Sequence, residues 1–164
     1  MPIADTLLRL AEHDPPFFVP KWSKDILDET RRTLIKFGYS AEQAKRRIDV
    51  MQAAFPEALV TGYEVLLDAM KNDPKDRHVL AGAVRANADG IVSDNKKHFP
   101  KSILDPFELE CLTVEGLIVE QYHLDPDAFI GLLGEQAMDT GRSLAELVAL
   151  MSKYAPKLAE LIKA

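Results

Sequence analysis

The sequence predicts an α/β fold with a short, mainly parallel sheet, followed by a C-terminal helical extension. Two observations carry that expectation. Over residues 1–114, short apolar or alternating runs (FFVP, ALVTG, GIVS, FELECLTV) alternate with helix-length segments, as in chains that build βαβ units. Beyond Val114 only helical spacing remains. The expected division is an α/β domain over residues 1–114 and a helical extension over residues 115–164.

The elements follow in order. Ile3, Leu7, Leu8, Leu10 and Ala11 have helical spacing, and Pro15 and Pro16 end that helix. FFVP, residues 17–20, reads as a buried strand. Ser23 is an N-cap candidate for a helix to about Lys36, stopped by Gly38. Ser40 and Gln43 have capping-box spacing for a third helix, to about Phe55. ALVTG, residues 58–62, reads as a second strand, and YEVLLDAM as a short helix. Pro74 suits the first turn of a helix running to about Asn87. Gly90 to Ser93 reads as a third strand and residues 107–114 as a fourth. In the extension, Asp125–Met138 is helical, Ser143 and Glu146 cap another helix, and Pro156 opens a last short turn of helix.

The 164 residues carry 20 basic and 26 acidic side chains, a formal charge of −6. That balance argues against a protein that coats nucleic acid by broad phosphate neutralisation, but not against a nuclease with a local basic patch. The single Cys111 excludes an intramolecular disulfide, and with four scattered histidines it makes no zinc-binding spacing. A cytoplasmic location is expected. The amphipathic start lacks the pattern of a signal peptide, and no apolar run has membrane-spanning length.

Three places invite chemistry. Asp76 precedes Val79, Leu80, Ala83 and Val84, so its carboxylate stands in line with an apolar stripe. A carboxylate there is costly unless paired or bound to a cation; the plainer reading is an acid favoured by the helix dipole. Ser93, Asp94 and Asn95 stand at the carboxyl end of a strand, where α/β sheets place their sites, although Asp-Asn is also ordinary turn chemistry. Glu29 lies near the apolar side of its helix, while Asp25 and Asp28 read as solvated.

These segments resemble the PIN-domain ribonucleases, in particular VapC-like toxins of bacterial toxin–antitoxin pairs. The resemblance covers residues 17 to about 114, on FFVPKWSKDILDETRRTL, FPEALVTGYE and DPKDRHVLAGAVRANADGIVSDNKKHFP. The third segment is the most specific, and the tail resembles the C-terminal extension of one subgroup more weakly. The family fold is a three-layer αβα arrangement. The resemblance implies an endoribonuclease using Mg²⁺ or Mn²⁺, with Glu29, Asp76 and Asn95 as catalytic metal ligands and Asp94 as an additional or incidental one. Ser93 matches the small hydroxyl residue of that loop, and Lys96, Lys97 and His98 would contact phosphate, although a solvated charge run is the ordinary reading of KKH. It also implies an RNA substrate, a small antitoxin, a homodimer and no membrane association.

One departure stands out. The family's first strand and the Asp that ends it have no counterpart here, and Asp5 lies inside an amphipathic helix. By resemblance the absent strand is central, so its neighbours either pair directly or leave a slot for another segment. An upstream start, exchange within a dimer and a degenerate inactive fold are the competing explanations. Weak or absent nuclease activity is expected of the chain as it stands. The alternative function is a non-catalytic module for oligomerisation or antitoxin binding.

Overall fold

The computed structural model describes residues 2–163. The chain groups into two compact units that interleave in sequence. One consists of the segment ending at Val19, Val92–Asp94 and the segment beginning at Leu112; the other is Pro20–Ile91 with Asn95–Cys111. The packing therefore cuts across the division expected at residue 114: the first helix groups with the C-terminal helices.

The first, helical unit contains α1 (Pro2–Glu12), α6 (Val114–Leu124), α7 (Pro126–Asp139), α8 (Leu144–Met151) and α9 (Pro156–Lys163). Each of the last four starts with recognisable chemistry. Thr113 and Asp125 accept N–H bonds from Gly116 and Ala128, Ser143 and Glu146 form the capping box, and Pro156 supplies its fixed φ. The core is continuous, with Leu10, Ile118, Phe129, Leu133, Leu147 and Leu158 buried in one cluster. One polar link crosses it: Thr6 Oγ1 donates to Gln136 Oε1 at 2.7 Å, and Gln136 Nε2 donates to Pro2 O at 3.0 Å.

The second, α/β unit begins with β1 (Trp22–Ser23), α2 (Lys24–Lys36), α3 (Ala41–Ala54) and β2 (Leu59–Val60). β1 and β2 pair in parallel, Trp22 with Leu59 and Ser23 with Val60. Ser23 caps α2, and the Ser40–Gln43 box caps α3 as expected. The chain continues through α4 (Arg77–Arg85), β3 (Gly90–Val92), α5 (Lys101–Leu104) and β4 (Glu110–Leu112), of which Val92 and Leu112 group with the first unit. β3 pairs with β4. Bonds from Glu110 N–H to Asp89 O and from Ser93 N–H to Leu112 O advance together along both strands, the parallel sense. Gly90 permits this approach, since a Cβ there would lie 3.1 Å from the Glu110 carbonyl oxygen.

Several sequence expectations shift. FFVP forms no strand: Phe17 and Phe18 pack against the helical core, Pro20 has no N–H to give a ladder, and pairing starts only at Trp22. The segment expected as a short helix at YEVLLDAM is a 3₁₀ helix over Glu64–Ala69. The fourth strand shrinks to Glu110–Leu112, because Asp105–Phe107 forms a 3₁₀ turn and Glu108 takes a left-handed conformation at φ 55°. The described residues hold two separate two-stranded sheets, so direct pairing of β1 with β3 is not realised.

Candidate metal centre

The segment NDPKDRHV builds the centre. Asp73 Oδ1 accepts the Lys75 N–H at 3.0 Å, and Asp73 O accepts the Asp76 N–H at 2.9 Å, closing a 3₁₀ turn over Pro74–Asp76. Asp76 is thus the N-cap of α4, not a residue of its first turn, and its side chain makes no capping bond. The helix dipole still favours its negative charge. Below the apolar stripe, Leu80 and Ala81 pack with Tyr63, Ile91, Phe99 and Leu104, which fixes α4 beside β3.

The chain beyond β3 supplies the other half. A 3₁₀ turn over Lys96–His98 follows Asn95 and brings His98 back to Asp76. His98 Nδ1 lies 2.5 Å from Asp76 Oδ2, and Nε2 lies 3.7 Å from Asp73 Oδ2. Asn95 Nδ2 lies 2.7 Å from the same Nδ1. One ring nitrogen either donates to the carboxylate or accepts from the amide, so two polar groups compete for a single site. Asp73, Asp76 and His98 each offer an atom within 4.8 Å of the others, which makes them a candidate ligand set among the described residues.

The surroundings are unusually unsatisfied. Asn72 is buried with neither its amide nitrogen nor its amide oxygen partnered, and Arg77 Nε and His78 Nδ1 are buried without partners. Four such atoms fall within residues 72–78, and a buried polar atom without a partner calls for a physical explanation.

The other expected site residues are placed as follows. Glu29, half-exposed on α2, meets α4 through His78, with Oε1 3.2 Å from Nε2, and lies outside the Asp73–Asp76–His98 set. Asp94 Oδ1 accepts the Val114 N–H at 3.1 Å, a contact at the start of α6. Ser93 is half-buried and its N–H joins the ladder to Leu112, while Lys96 and Lys97 are exposed. Asp73 and the direct role of His98 at the carboxylates were missed by sequence reasoning; the Asp-Pro-Lys-Asp spacing, which puts two acids on one tight turn, was the available signal. Asp25 is not simply solvated either. It accepts from the Tyr63 hydroxyl at 2.6 Å, and burial followed by this bond pushes the phenol above its ordinary value.

Two carboxylates and an imidazole fit a small divalent cation: hard oxygens suit Mg²⁺, and the added nitrogen is well tolerated by Mn²⁺. A model of the PIN domain matches residues 4–97, more than half of the chain. The chain belongs to the PIN-domain family. A Mycobacterium tuberculosis protein carrying the name "Putative ribonuclease VapC50" is 44% identical to it over 71 residues. That alignment spans 43% of this chain and 42% of the relative, so the two share less than half of either length. No solved structure matches significantly. The PIN match includes α1, which packs with the helical unit, as well as Glu29, Asp73, Asp76, Asn95 and both site lysines. His98 lies one residue beyond it. The fold is the family's α/β type with a helical C-terminal extension, and among the described residues no helix is long and apolar enough to cross a membrane.

Proposed function

We propose that this PIN-domain protein is a metal-dependent endoribonuclease of the VapC type, the toxin of a toxin–antitoxin pair, acting in the cytoplasm as a homodimer held in check by a small antitoxin. The observation that carries the reading is the convergence of Asp73, Asp76 and His98 on one point, beside Asn95, in a chain whose relative is named as a ribonuclease. Asp73 and Asp76 would hold Mg²⁺ or Mn²⁺, with His98 or Asn95 completing the set and Glu29 approaching from α2. A divalent cation held by these residues would supply Lewis-acid chemistry to phosphodiester hydrolysis. Ser93 and the exposed Lys96 and Lys97 would contact the RNA backbone. Asp94 stays with the Val114 N–H.

Loading a cation there requires Asp76 and His98 to exchange their mutual hydrogen bond for the ion. The same observation favours one competing reading, a non-catalytic module for oligomerisation or antitoxin binding. The two are separated by incubating labelled RNA with the chain in Mn²⁺ or Mg²⁺. Slow cleavage, abolished by EDTA and reduced about a hundredfold or more by Asp76→Asn, supports the nuclease. Intact RNA together with no calorimetric Mn²⁺ binding sinks it and leaves the module.

A further inference from the structure

The hairpin formed by α2 and α3 carries features that the metal centre does not use. Residues 31–50 hold six basic side chains (Arg31, Arg32, Lys36, Lys45, Arg46, Arg47) and two acidic ones (Glu42, Asp49), a net of +4 in a chain whose total is −6. On α2, Arg31, Arg32, Ile35 and Lys36 follow i, i+1, i+4, i+5 spacing, and all four are exposed. Arg31 has a 3.7 Å contact with Asp28, and Lys45 is paired with Asp49. No ion pair to a side chain is found for Arg32, Lys36 or Arg46 among the described residues.

The tip adds aromatic surface. Phe37 is 65% and Tyr39 37% exposed, where an isolated domain has no need of either. They are not on a loose loop. Gly38, at φ 94°, ends α2 with bonds from its own N–H to Ile35 O at 3.0 Å and from the Tyr39 N–H to Leu34 O at 3.2 Å. That pairing is the Schellman arrangement, which fixes the backbone on both sides of the glycine. In this motif the residue after the glycine commonly packs back on the helix, yet here both rings remain accessible.

Basic side chains in a stripe with rigidly presented aromatic rings at its end are the composition of a single-stranded nucleic-acid platform: cations follow the phosphates and rings stack on bases without regard to sequence. A second copy presenting the same surface would meet like charge, which disfavours a two-fold contact here. We propose that the α2–α3 hairpin is a docking arm for single-stranded RNA, with Arg31, Arg32, Lys36 and Arg46 on phosphates and Phe37 and Tyr39 stacked on bases. This rests on the ribonuclease reading for its biological sense, but not for its chemistry.

The test is fluorescence anisotropy of a labelled single-stranded RNA of roughly 12 nucleotides, in EDTA so that no cleavage occurs, across a salt series. Metal-dependent cleavage is assayed separately. Phe37→Ala with Tyr39→Ala should weaken binding about tenfold with the salt slope unchanged. Arg31→Ala, Arg32→Ala and Lys36→Ala together should weaken it and flatten the slope by about 2. These exposed positions should leave the thermal midpoint unchanged, which a melt confirms. If the wild type cleaves RNA yet both variants bind like it, the arm is refuted while the nuclease stands. If the wild type binds, the variants lose affinity and nothing cleaves with metal, the arm stands and the nuclease reading falls. A wild type that binds no RNA overturns the arm, as does a variant that changes only the mass measured by light scattering, which would make the tip a self-association surface.

Discussion

The two packing units solve different problems with similar helix chemistry. The helical unit buries one unbroken apolar cluster around Phe129; its buried pair Thr6 and Gln136 is satisfied, while Gln121 Oε1 on α6 is buried without a partner. The α/β unit divides its apolar residues between two smaller clusters, around Leu80 and around Trp22, and uses strands of two or three residues. It also holds the orphaned polar atoms of Asn72, Arg77 and His78. Strands this short contribute few ladder bonds, so the α/β unit depends on side-chain packing to hold its loops. The contrast is one of degree: the unit with the candidate metal centre holds five of the six unpartnered buried side-chain atoms among the described residues, a concentration that is common where function and stability compete.

The comparison can be broken most forcefully at Phe129. Phe129→Ala should cost about 3–5 kcal/mol in urea unfolding, because a fully buried ring leaves a cavity among α6, α7 and α8. A loss under 1 kcal/mol would mean the helical core is not the rigid half. Thr6→Val comes next. It removes the donor to the buried Gln136 Oε1 and should cost about 1–3 kcal/mol. The double variant with Gln136→Leu should recover part of that loss, which a double-mutant cycle measures.

Asn72→Leu sharpens the contrast from the other side. Its amide has no partner to lose, so the thermal midpoint should hold or rise slightly while Mn²⁺ affinity falls. A clear drop in midpoint would show that the amide is satisfied and that the α/β unit is not strained there. The smallest effect is expected at Glu146. The Ser143 backbone N–H and then the Ser143 hydroxyl hold its carboxyl below the ordinary value. A depressed carboxyl stabilises the fold fully above the ordinary carboxylate range and loses that contribution as pH falls through the depressed value. Wild type should therefore exceed Glu146→Gln in thermal midpoint at neutral pH, with the gap closing in acid.

Helix caps were the most legible part of the fold. Ser23, Ser40 and Ser143 announce α2, α3 and α8 because a cap is a local bond between residues three apart. Strands were less so: FFVP has the composition of a strand, but its phenylalanines are claimed by a core assembled from residues over a hundred positions away. In the centre, Asp76 and Asn95 could be singled out from sequence, since each stands at the end of a periodic segment. Asp73 shares the tight Asp-Pro-Lys-Asp turn with Asp76, but His98 could not be brought to them, because the 3₁₀ turn that delivers it is set by φ/ψ choices that polar turn residues leave open.

The bond between Thr6 and Gln136 spans 130 residues of sequence. On a ribosome adding about 5–20 residues per second, α1 would wait roughly ten seconds for α7 to emerge. Throughout that interval Ile3 and Leu10, buried in the finished unit, face solvent or a chaperone. The helical unit therefore closes last, and the nascent α/β segment has the opportunity to form first. Residues 130 positions apart in sequence thus act as a clasp that shuts only once α7 has emerged.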